Sequence, residues 1–83
     1  MYSQRHTDAC LMRIVSNFLE QSPAMVRSDR SMDELGADSF DMVELQALVE
    51  EAFGIQIPRQ LPTYITFDEL LALVLRSGAA LRC

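Results

Sequence analysis

The chain has 83 residues, a formal net charge of −5 and an apolar half. It suffices for one small domain with one modest core, and leaves little room for a large internal active site. All seven basic residues are arginine, and none lies between positions 31 and 58, where Asp33, Glu34, Asp38, Asp41, Glu44, Glu50 and Glu51 concentrate negative charge. Such a surface repels nucleic acid and anionic membrane and attracts a basic protein face. No apolar run is long enough to cross a bilayer, and the first six residues lack the apolar core of a signal peptide. A cytoplasmic protein is expected. Cys10 and Cys83 lie near opposite ends, show no metal-ligand spacing, and are expected as free thiols.

In chain order, apolar spacing predicts a first helix from Ser3 or Thr7 to Glu20. Leu11, Ile14, Val15, Phe18 and Leu19 form its stripe, and Cys10 extends it. His6, alone near the start, is expected as a solvated surface residue. Residues 21–37 read as a long connection. Ser22-Pro23 breaks the helix, and Met25, Val26, Met32 and Leu35 are expected to pin the connection against the core. Gly36 supplies backbone freedom before the next helix.

The second helix is expected from Ser39 to Ala52 or Phe53. Val43, Ala47 and Phe53, with Phe40, Leu45, Leu48 and Val49 alongside, form its expected apolar face. Asp41, Glu44 and Glu51 line another side, with Glu50 adjacent. Ser39 stands where this helix starts. A hydroxyl there can cap the helix, or carry a phosphate ester favoured by free N–H groups and the helix dipole. Gly54 ends the helix.

Ile55-Gln56-Ile57-Pro58 reads as an extended link with both isoleucines on the core. Residues 59–64 are expected to hold one short irregular helix, limited by Pro62. Thr66 and Glu69 match a capping box, with Ile65 and Leu70 as a hydrophobic staple. Leu70, Leu71, Leu73, Val74 and Leu75 then carry the apolar surface of the last helix, which Gly78 stops; residues 79–83 are expected to fray. The predicted fold is all-α: a small four-helix bundle of three longer helices, a short irregular third helix and a long first loop, in one domain over 1–83. Phe18, Val43, Phe53, Ile57 and Leu70 are its expected core.

No enzyme chemistry emerges. The single histidine lies far in sequence from any candidate nucleophile, and the acids fall on one helix face rather than across a cleft. Asp33 to Glu44 spans the length of a calcium loop, but Leu35, Ala37 and Asp38 stand where that loop needs two oxygen ligands and a glycine. No metal site is expected.

The run Leu35-Gly36-Ala37-Asp38-Ser39-Phe40-Asp41, followed by Val43-Glu44-Leu45 and by residues 50–58, resembles the acyl carrier protein family. The central block carries the likeness, and helix order and loop length extend it weakly over the chain. The resemblance implies that Ser39 receives 4′-phosphopantetheine from coenzyme A, through a separate Mg²⁺-dependent phosphopantetheinyl transferase. The terminal thiol of the arm would then hold acyl intermediates as thioesters. It further implies docking of acyl-loading, acyl-transfer or condensing enzymes through basic patches on Asp38, Asp41, Glu44, Glu50 and Glu51, with Met42 adding apolar contact. The implied protein is a monomeric carrier and not an enzyme. Arg59, Pro62, Gln46 and Ala47 set it apart from the housekeeping fatty-acid carrier and point to a specialised member serving fatty-acid, polyketide, modified-lipid or related synthesis. The competing expectation is a helical adaptor whose acidic second helix binds a basic partner while Ser39 only caps.

Overall fold

Apolar residues at helical spacing, separated by proline and glycine, give three helices in the computed structural model, which describes residues 4–78. They are α1 (Gln4–Phe18), α2 (Ser39–Phe53) and α3 (Phe67–Arg76). Two single 3₁₀ turns, Pro23–Met25 and Asp33–Leu35, punctuate the first connection. The expected frayed tail lies outside the described residues, as does Ser3.

The expected third helix of a four-helix bundle does not form: residues 59–64 hold only a bend at Arg59 and a turn at Thr63 and Tyr64. Pro62 removes one backbone donor from this short stretch, and Pro58 another just before it. Leu61 N of this stretch and Ile57 N just before it turn instead to side chains of α2: Ile57 N donates to Glu50 Oε2 at 2.7 Å and Leu61 N to Gln46 Oε1 at 2.9 Å. The architecture is therefore three helices packed around one core, with a long connection laid across them.

α1 ends without glycine. Glu20 takes the left-handed conformation at φ 54°, while Gln21 N reaches back to Ser16 O and Glu20 N to Asn17 O. This pattern closes the last carbonyls of the helix. At the far end of the connection, Gly36 (φ 97°) makes the reversal that feeds α2. Between them, Val26, Met32 and Leu35 are buried as expected, whereas Met25 is exposed. Side chains are only half of what fixes this segment. Met32 N donates to Ile65 O, Asp33 N to Thr63 O, Phe67 N to Arg30 O and Asp68 N to Ser28 O, at 2.8–3.0 Å.

Leu11 and Val15 of α1, Leu45, Val49 and Phe53 of α2, and Leu70 and Val74 of α3 are sealed from solvent, and Ile57 joins them from the link. The core stripe of α2 runs through Met42, Leu45, Val49 and Phe53. That corrects the face expected from sequence: Val43 is 52% exposed and Phe40 80%, while Met42 is fully buried. Most of α2's non-acidic positions are apolar, so periodicity alone leaves its rotation open. Phe18 is half-buried at the edge of the core. Cys10, expected as a free thiol, is buried and disulfide-bonded; Cys83 lies outside the described residues.

The capping box of α3 forms as expected. Thr66 Oγ1 accepts from Glu69 N, and Glu69 Oε1 accepts from Thr66 N at 2.9 Å. The Thr66 backbone N–H, then its hydroxyl, hold the Glu69 carboxyl below the usual carboxylate range.

Phe53→Ala is expected to cost about 3–5 kcal/mol by urea denaturation, because it empties a sealed core site. Val43→Ala is expected to cost no more than about 0.5 kcal/mol. A lowered folded pKa makes the Glu69 contribution complete above the unfolded carboxylate value of about 4.3. It is lost as pH falls through the lower folded value. The melting-temperature gap between wild type and Glu69→Gln should therefore shrink between about pH 6 and about pH 3.

Candidate functional site: the open N-terminus of the second helix

An α-helix begins with backbone N–H groups that have no partner within the helix. α2 and α3 treat theirs differently. In α3 the capping box satisfies Thr66 N and Glu69 N, and carbonyls of the long connection take the two between: Arg30 O accepts from Phe67 N and Ser28 O from Asp68 N. That helix end is closed.

α2 carries the same kind of box. Asp38 Oδ1 accepts from Asp41 N at 2.8 Å, and Asp41 Oδ2 accepts from Asp38 N at 3.0 Å. Here, however, the two intervening N–H groups, those of Ser39 and Phe40, meet no chain partner among the described residues. The cap is Asp38 rather than Ser39, which is the first helical residue. Its side chain is exposed and has no hydrogen-bond partner among the described residues. A hydroxyl free of capping duty, beside two unsatisfied N–H groups at the positive end of a helix, suits an esterified phosphate.

The expected docking residues divide. Asp38, Glu44 and Glu51 are exposed, and Asp41 is half-buried at the box. Glu50 sits at the edge of α2, where its carboxylate holds Ile57 N. Met42 is in the core and offers no surface. The large apolar groups that do stand outside on α2 are Phe40, Val43 and Leu48. All three belong to the apolar face expected from sequence, whereas the face that turns inward is that of Met42, Leu45, Val49 and Phe53.

No group of acids, histidines and cysteines that could hold a metal occurs among the described residues. No described helix is long and apolar enough to cross a membrane.

The family described as "Phosphopantetheine attachment site" matches residues 11–74. The chain belongs to that family, and the group its fold is built to carry is covalently bound 4′-phosphopantetheine. Among curated proteins, the chain is 46% identical over 46 residues to a protein of Campylobacter hominis named "Acyl carrier protein". The aligned stretch is 54% of this chain and spans only 58% of that relative's length. No solved structure matches.

Because Asp38 is the cap, Asp38→Ala should cost about 1 kcal/mol. Ser39→Ala should stay within about 0.5 kcal/mol of wild type in the same urea titration. A larger loss at Ser39 would return the capping role to the serine.

Proposed function

We propose that this protein is a carrier that holds acyl intermediates as thioesters on a 4′-phosphopantetheine arm esterified to Ser39. It presents them to fatty-acid, polyketide or related biosynthetic enzymes. The observation that carries this reading is the exposed Ser39 hydroxyl at the open end of α2, inside the span that matches the attachment-site family. Its likeness to a protein named as an acyl carrier supports the choice of cargo class.

When bound, the arm supplies the thiol on which the acyl group rides. The chain's own residues do the rest. Asp38 and Asp41 fix the first turn of α2, so that the Ser39 hydroxyl is presented at a defined point. The N–H groups of Ser39 and Phe40, with the helix dipole, offset the charge of the phosphodiester. Repulsion from the two neighbouring carboxylates works against a tight hold on the arm, which leaves it available to successive enzymes.

Partners comprise a phosphopantetheinyl transferase and acyl-loading, acyl-transfer or condensing enzymes with basic patches. The docking face combines Asp38, Asp41, Glu44 and Glu51 with the exposed Phe40 and Val43. Glu50 is largely withdrawn from it by its bond to Ile57. We place the carrier as a monomer in the cytoplasm with these enzymes. Thiols are kept reduced there, so the Cys10 bridge would open.

Intact mass after incubation with coenzyme A and a promiscuous transferase tests the reading. Wild type should gain one phosphopantetheine and Ser39→Ala none. A gain by the alanine variant would move the attachment site elsewhere, and no gain by wild type would favour the helical adaptor.

Glu44→Lys should slow loading at low salt while leaving helicity nearly unchanged. The difference should fade as salt rises, because exposed charges are screened over about 8 Å at physiological ionic strength. Equal rates at low salt would remove Glu44 from the docking face.

A further inference from the structure

Ser39, Val43, Gln46 and Glu50 recur at helical spacing and share one edge of α2, about 16 Å long. Two open grooves border the link that follows α2. One, about 380 Å³, lies against this edge of α2 and is lined by Val43, Gln46 and Glu50 together with residues 57–60. The other, about 360 Å³, lies toward α3, where Ile65 and Leu73 line it together with the same residues 57–60. The link is therefore the wall between the two grooves.

This wall is not helical, so its backbone groups need partners from elsewhere. Gln46 supplies most of them. Its Nε2 donates to Arg59 O at 3.1 Å and, at a longer 3.5 Å, to Ile57 O, while its Oε1 accepts from Leu61 N at 2.9 Å. Glu50 adds the bond to Ile57 N. One carboxamide thus grips the wall on both sides of Gln60. From within, Ile57 and Leu61 of the wall are part of the core. An alkyl chain entering between α2 and α3 would have to lift the wall, break the Gln46 bonds and expose both residues. It could not replace the lost hydrogen bonds, and part-buried backbone groups left unpaired are costly.

We propose that Gln46 determines cargo specificity: its carboxamide latches residues 57–61 to α2 and keeps long alkyl chains out of the space between α2 and α3. Short or polar acyl groups are then the cargo, carried along the outer groove on the edge that bears Ser39. This rests on the reading of Ser39 as the attachment site.

The test loads wild type, Gln46→Ala and Gln46→Glu with acetyl or decanoyl arms from the matching coenzyme A thioesters. Amide hydrogen exchange at Leu61 is read on the unloaded proteins, and melting temperature on the loaded ones. In wild type, Leu61 should exchange slowly, and the decanoyl and acetyl forms should melt together. In Gln46→Ala, Leu61 should exchange about tenfold faster or more, and the decanoyl form should melt several degrees above the acetyl form. Gln46→Glu serves where the alanine variant fails to fold. It keeps the acceptor for Leu61 and loses the donors, so it should gain the decanoyl effect while Leu61 stays protected. A wild-type decanoyl form that melts well above the acetyl form overturns the proposal. So does unchanged Leu61 exchange in Gln46→Ala, or the absence of a decanoyl effect in every folded variant. Failure of wild type to gain any arm overturns the Ser39 reading and this inference with it, whereas Leu61 exchange reports on the latch alone.

Discussion

Four backbone hydrogen bonds tie residues 28–33 to residues 63–68, and the geometry of the site depends on them. The first connection is long, and a loop of that length would cost much conformational entropy to hold in place by side chains alone. Pairing its backbone to the approach of α3 satisfies donors and acceptors that the fold must otherwise leave to water. Val26, Met32 and Leu35 then bury alongside the tie. Gly36 makes its left-handed turn from this fixed base, and Asp38 begins α2 two residues later. The position of Ser39 is thus set by a contact between two segments that are distant in sequence.

The same tie distinguishes the two capped helices. Its carbonyls at Ser28 and Arg30 close the N-terminus of α3, and among the described residues no equivalent segment bonds to the N-terminus of α2. Two helices with the same reciprocal capping motif consequently have opposite electrostatic character at their ends. One is internally satisfied, and the other keeps N–H groups without a partner among the described residues, beside an exposed hydroxyl. The acidic residues are arranged around the open end without occupying it, because Asp38 and Asp41 are turned to each other's backbone.

α2 is where packing and recognition share a short helix. Its inner stripe is wholly apolar, and its outer face mixes Glu44 and Glu51 with Phe40 and Val43. An exposed phenylalanine costs little in a folded monomer and offers a partner apolar area beside steering charge. The third edge carries Gln46 and Glu50, which are spent on holding the link after α2. Glu50 is therefore structural, as are Asp38 and Asp41 in the capping box, although composition gives all the acids of the cluster the same appearance.

Much of this was legible in the chain alone. Local chemistry marks helix ends, so Thr66 with Glu69, Gly54 and Gly36 announced themselves, as did the outward placement of Ser39 at the start of an acidic helix. The link with Ile55 and Ile57 on the core followed from alternation and Pro58. What sequence could not decide was the rotation of α2. Apolar residues occupy most of its turns, and only packing against the rest of the core selects Met42 for the interior and Val43 for the surface. Nor could it tell a short helix from an irregular wall at 59–64, because the groups that compete for its backbone, Gln46 and Glu50, lie on another element. The capping role passed from Ser39 to Asp38 through a reciprocal bond with Asp41 that either residue type could have supplied. Local propensity settles where helices begin and end; which side faces in, and which polar group is spent on the fold, is settled by long-range contacts that no window of sequence contains.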